Sequence, residues 1–131
     1  MKVQVFDTYV HREDGSVMHF DIVVDEAEHD ENSVFAYGRD YLISKGERGV
    51  DLDTSRCRFC HVETPTDEMI DDIERRGYHI IEMDDIPAEL PENPTRRDFI
   101  LHLRGHFPEH RFADMRSKSQ EELQSLVGRT V

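Results

Sequence analysis

The strongest local constraint on this chain is the pair Asp14-Gly15. It sits between two runs rich in β-branched and aromatic residues, residues 2–11 (KVQVFDTYVH) and residues 17–25 (VMHFDIVVD). Such a pair between alternating apolar residues is a strong hairpin signal, because both central residues of a type I′ turn need positive φ. A two-residue turn at Asp14-Gly15 sets Val5 opposite Val24, Asp7 opposite Ile22, Tyr9 opposite Phe20 and His11 opposite Met18. That face is mostly apolar and is expected to meet the core. The opposite face then carries Gln4, Phe6, Thr8 and Val10 with Val17, His19, Asp21 and Val23, so Thr8, His19 and Asp21 share the more polar side. Asp7 stands out, since it has the parity of Val3, Val5 and Tyr9. A carboxylate on the core side has to be paired, lie at the rim of the sheet, or carry a raised pKa.

Beyond the hairpin runs an acidic loop, DEAEHDEN. Asn32 then reads as the N-cap of a helix reaching about Ser44 and stopped at Gly46. Val34, Phe35, Gly38, Tyr41 and Leu42 fall at helical spacing, with Gly38 allowing close approach. A short strand is expected over 58–63, ahead of Pro65. Thr66 caps a second helix with Asp67 and Glu68 in its first turn, where the helix dipole favours anions, and Gly77 ends it. YHIIEM, residues 78–83, reads as a buried strand. The order β-β-α-β-α-β predicts an α/β (α+β) two-layer sandwich over residues 1–86.

A proline-rich acidic linker follows at 87–94, and a helical extension at 95–131. PTRRDFILHLRG can form a helix with Phe99, Ile100 and Leu103 on one side. SQEE at 119–122 is a capping box, with Ser119 as N-cap and Glu122 reaching back, and Gly128 is the expected stop. Residues 1–92 carry 9 basic and 24 acidic side chains, whereas 93–131 carry 7 and 5. The weakly basic extension is therefore expected to dock on the acidic main domain.

The whole chain has a net charge of −13. Such a surface repels phosphate backbones and disfavours nucleic acid as a partner, leaving a protein or a small ligand. No apolar run has the length of a membrane span, and the N-terminus lacks the apolar block of a signal peptide. The expected location is the cytoplasm, where the two cysteines stay reduced.

Both cysteines lie in CRFCH, residues 57–61. The pattern matches a c-type haem attachment site, but haem attachment normally follows export, for which this chain shows no signal. Cys-x-x-Cys also suits zinc, because a tight turn brings two thiolates to one tetrahedral centre. Two further donors are then needed. His61 is adjacent, and His19 is the main candidate from the hairpin, with His11, Asp21 and His29 as further donors. Redox chemistry centred on Cys57 would need a thiolate of lowered pKa, which Arg56, Arg58 and His61 would favour. The simplest account is packing, since free cysteine is among the most buried residue types. A separate candidate site lies on the hairpin: Asp7, Thr8 and Asp21 with His19, where a carboxylate beside an imidazole can set its tautomer.

VFDTYV, DGSVMHFDIV, CRFCH and IERRGYHIIEM together resemble a bacterial family of small proteins, domain of unknown function 2024, over about residues 1–86. The resemblance implies a compact cytoplasmic α/β domain and no assigned activity; the extension lies outside it. The leading expectation is a non-catalytic interaction or ligand-binding module without a bound cofactor. The alternatives are a zinc protein using Cys57, Cys60, His61 and His19, and a thiol-dependent redox enzyme.

Overall fold

A computed structural model of the chain describes residues 1–28 and 30–130; His29, a candidate donor above, lies outside the described residues. The elements are β1 (Val3–His11), β2 (Val17–Asp25), α1 (Glu31–Ser44), β3 (Cys57–Glu63), α2 (Asp67–Arg76), β4 (His79–Glu82), α3 (Arg96–His106) and α4 (Gln120–Thr130). A short 3₁₀ turn spans Pro108–His110. The α+β class and the element order are those read from the sequence. The four strands form one sheet in the order β3-β1-β2-β4, with β3 antiparallel to β1 and β4 antiparallel to β2.

The hairpin turn differs from the expected type, and the difference moves every residue of β2. Gly15 alone takes positive φ there, at 88°; among the described residues no non-glycine residue does, so Asp14 cannot supply the second left-handed position of a type I′ turn. Instead the Gly15 N–H donates to the Arg12 carbonyl at 3.0 Å, and the Arg12 N–H to the Ser16 carbonyl at 2.9 Å. Asp14 Oδ1 accepts from the Ser16 N–H at 2.8 Å and from its hydroxyl at 2.6 Å. This is a type I turn followed by a glycine bulge, a three-residue loop. Arg12 therefore stands opposite Ser16, one residue away from the register of a two-residue turn. Because side chains alternate with period two, the slip exchanges the faces of β2 relative to β1. Asp7 faces Asp21, Tyr9 faces His19 and Val5 faces Val23.

The chain forms two compact units, Met1–Val10 with Met18–Asp84, and His11–Val17 with Asp85–Val131. In the first, one face of the sheet contributes Phe6, Val10, Met18, Phe20, Ile22 and Val24 to a core with Val34, Phe35, Tyr41 and Leu42 of α1. The other face contributes Val3, Val5 and Val23, which pack with Met69 and Ile73 of α2 and Ile81 of β4. Gly38 permits the α1 contact as expected: a Cβ there would lie 2.3 Å from Leu52 Cδ1 and 2.8 Å from Ile22 Cδ1. Asp30, rather than Asn32, caps α1, accepting from the Asn32 N–H at 2.9 Å. Both residue types cap well, and the one placed earlier takes the role. Thr66 accepts from the Met69 N–H at 3.2 Å, and Gly77, at φ 96°, closes α2.

In the second unit, Phe99 and Leu103 of α3, Met115, and Leu123 of α4 form a separate core. Val17 and Ile86 exchange two backbone hydrogen bonds of 2.8 Å. The expected Ser119–Glu122 capping box is present, with the Glu122 N–H on Ser119 Oγ at 3.1 Å and the Ser119 N–H on Glu122 Oε1 at 3.4 Å. The helix it starts runs past Gly128 to Thr130, because that glycine is not in the left-handed conformation that ends a helix.

Candidate functional site

The register of the hairpin assembles a site that neither strand carries alone. Asp7 on β1 and His19 and Asp21 on β2 project from one face of the sheet. One donor atom from each lies within 4.8 Å of the other two. His19 Nε2 is 2.6 Å from Asp7 Oδ1. The His19 ring stacks on Tyr9 with 4.4 Å between centroids and 8° between planes, which holds the imidazole nearly parallel to the phenol ring. Asp21 is only 8% exposed, while Asp7 and His19 are half-buried.

Two carboxyl groups this close cannot both carry full charge in a half-buried site. Burial works to raise the pKa of Asp7, but the hydrogen bond and charge of His19 outweigh it, helped by hydrogen bonds from Asp21 and Tyr9, and Asp7 lies below the ordinary carboxylate value. Asp21 moves the other way. Burial first, then the charge of Asp7 and the hydrogen bond to it, push Asp21 up to about 7, against the opposing pull of His19. The pair thus holds one proton, on Asp21, at mildly acidic pH. Asp7 is the odd carboxylate that the sequence flagged on the core side, and it is paired. Its partners are His19 and Asp21, not the Ile22 of the two-residue register.

Thr8 points the other way. It is buried on the α1 face, and its hydroxyl donates to Cys57 Sγ at 3.3 Å. It therefore does not join Asp7, His19 and Asp21. Cys57 stands opposite Thr8, and its thiol is pushed up to about 11 by burial, despite the Thr8 hydrogen bond. A buried thiol held protonated is the reverse of a reactive thiolate, which counts against redox chemistry centred on Cys57. Cys60 is exposed and occupies a break in the β1–β3 register, between Phe59 opposite Phe6 and His61 opposite Val5. The extra residue is a β-bulge. His61 lies 3.5 Å from Glu63. Among the described residues, the groups of three or more potential metal donors are Asp7–His19–Asp21 and Glu68–Asp72–His79. Cys57, Cys60, His61 and His19 are not gathered into one site: His19 is tied to Asp7, and Cys57 is buried on the α1 face.

The second group was not singled out from the sequence. Gly77 turns the chain from α2 into β4 and brings His79 back beside Asp72, with Nδ1 and Oδ2 2.7 Å apart. The available signal was the position of an acid and a histidine on either side of a helix-ending glycine. Asp72 also pairs with Arg75 and, at 3.7 Å, with Arg76. Its carboxyl lies below the ordinary value, through the His79 hydrogen bond first and then, against a small burial cost, the two guanidinium charges.

Fold and site define a small antiparallel α+β domain with an acid–acid–histidine group on one sheet face. The chain belongs to the family described as a domain of unknown function, DUF2024, which matches residues 1–83. It is similar to protein NE1680 from Nitrosomonas europaea, solved by NMR, with 40% identity over 64% of this chain and 96% of that one, at a TM-score of 0.58. No curated protein matches the chain. Among the described residues no helix is long and apolar enough to cross a membrane.

Proposed function

We propose that the family domain is a non-catalytic binding module for a first-row divalent metal ion, with Asp7, His19 and Asp21 as protein ligands. The observation that carries this reading is the convergence of one imidazole nitrogen and two carboxylate oxygens within 4.8 Å on two adjacent strands. Imidazole with carboxylates suits zinc and its neighbours, whereas magnesium and calcium favour oxygen donors alone. Three protein donors leave a tetrahedral ion one position for water or a ligand atom of a partner. The proton on Asp21 must leave when an ion binds, so binding is linked to pH. Tyr9 holds the imidazole by stacking, and the strands supply a rigid frame, so little ordering is needed on binding. The buried, protonated Cys57 thiol supports binding over thiol chemistry.

Zinc titration of the full chain at pH 7.5, followed by native mass spectrometry, tests the reading. One ion per chain is expected, lost in Asp7→Asn and Asp21→Asn and kept in Cys60→Ser. Zinc that Cys60→Ser removes would instead restore the CRFCH site, and a chain that takes up no zinc would end the metal reading.

A further inference from the structure

The geometry points to β3 as the surface on which a second copy of this chain docks, strand against strand about a two-fold axis. β3 is an edge of the sheet, and Arg58–Val62 are all exposed. Phe59 and Val62 are 50% and 43% exposed, large apolar side chains on an edge that natural sheets usually protect with charge. The other edge, β4, is only four residues long and ends in Glu82, which is one ordinary form of that protection.

The occupant follows from the self-complementarity of the strand. The register with β1 puts Phe59 opposite Phe6 and Val62 opposite Gln4, both on the α1 face. Arg58 is opposite Asp7 and Glu63 opposite Val3, both on the other face. An antiparallel copy related by a two-fold axis between Cys60 and His61 sets Phe59 against Val62 of the second copy on one face. On the other face it sets Arg58 against Glu63 of the second copy. Apolar and opposite-charge cross-strand pairs are the stabilising kinds. A slip of one residue mixes the faces and puts Arg58 against Val62, so the register is specified. The bulge at Cys60 falls beside the axis on both strands, and sets Cys60 of each copy against His61 of the other.

Charge also favours this edge over the rest of the surface. Copies of a chain at −13 repel one another, but residues 54–62 carry Arg56 and Arg58 and no acid. A seven-residue strand is a small contact, at the low end of specific interfaces, so the dimer is expected to depend on concentration.

Sedimentation velocity of the full chain, from about 1 µM to about 1 mM, should show a monomer–dimer equilibrium. Phe59→Asp and Val62→Lys should each weaken association by about tenfold or more, with unchanged circular dichroism. Arg58→Glu and Glu63→Arg should each weaken it, and the two together should recover it. A single-chain mass at every concentration overturns the inference. So does a dimer that both Phe59→Asp and Val62→Lys leave intact, or a double reversal that recovers nothing. The readout is mass, so its outcome is separate from that of the zinc titration.

Discussion

Two acid–histidine groups in this molecule use the same residue types with opposite charge balance. On the sheet, Asp7 and Asp21 share one imidazole, and the surplus negative charge is met by a proton on Asp21. At the turn from α2 to β4, Asp72 meets His79 together with Arg75 and Arg76, and its charge is already answered by the protein. A site whose charge is answered internally gains little from a cation, whereas a site that has to borrow a proton can exchange it for one. Counting donors alone would rank the two groups equally; charge compensation separates them.

The largest expected effect is on zinc affinity. Asp21→Asn should weaken binding at least about a hundredfold, while Asp72→Asn should leave it within about twofold, as read by competition with a chromophoric chelator. Equal losses in the two variants would erase the contrast. Next comes pH. Because the ion displaces the Asp21 proton, affinity should fall by up to about tenfold per unit as pH drops below about 7. A flat profile between pH 5 and 7 would show that Asp21 is not a ligand.

The metal-free protein should show the same asymmetry in stability. The folded-state pKa of Asp21, about 7, lies above the ordinary 3.8, so the folded state holds the extra proton between those values. Its contribution is fully present below the ordinary pKa, declines as pH rises through about 7, and is flat above. Asp72 has the opposite sign, because its lowered pKa contributes stability above the ordinary carboxylate range that is lost on acidification. Asp21→Asn should therefore stabilise the metal-free chain at pH 8, by about 1–2 kcal/mol after allowing for partial solvation of the pair. Urea unfolding at pH 8 and pH 5 measures this, and a gain at pH 5 as large as at pH 8 would contradict it. The smallest effect is the loss of the α2 cap. Thr66→Ala should cost about 1 kcal/mol and loosen the helix that carries Asp72, with zinc affinity unchanged.

Much of this arrangement was legible in the residues because it is local. Thr66 and Gly77 mark the ends of α2, Ser119 and Glu122 open α4, and Gly38 marks a close approach, each by short-range geometry. Asp7 was legible as an anomaly, a carboxylate with core parity. Its partners were not, because they depend on the turn. Asp14-Gly15 is compatible with a two-residue and a three-residue loop, and the choice shifts β2 by one residue. His19 and Asp21 thereby move to the face of Asp7, and Thr8 is left behind on the face of α1. CRFCH left its alternatives open for a similar reason: spacing along the chain brings two cysteines near in sequence, but a bulged edge strand buries one and exposes the other.

The sequence by itself determined the elements, their order and some of their ends, such as Thr66 and Gly77 of α2, since these follow from periodicity, capping and the conformational freedom of glycine within a few residues. Only the tertiary structure decided which side chains meet. The sheet order β3-β1-β2-β4 joins residues far apart in the chain, and with a side-chain period of two a single residue in one turn decides whether a carboxylate faces a histidine or the core.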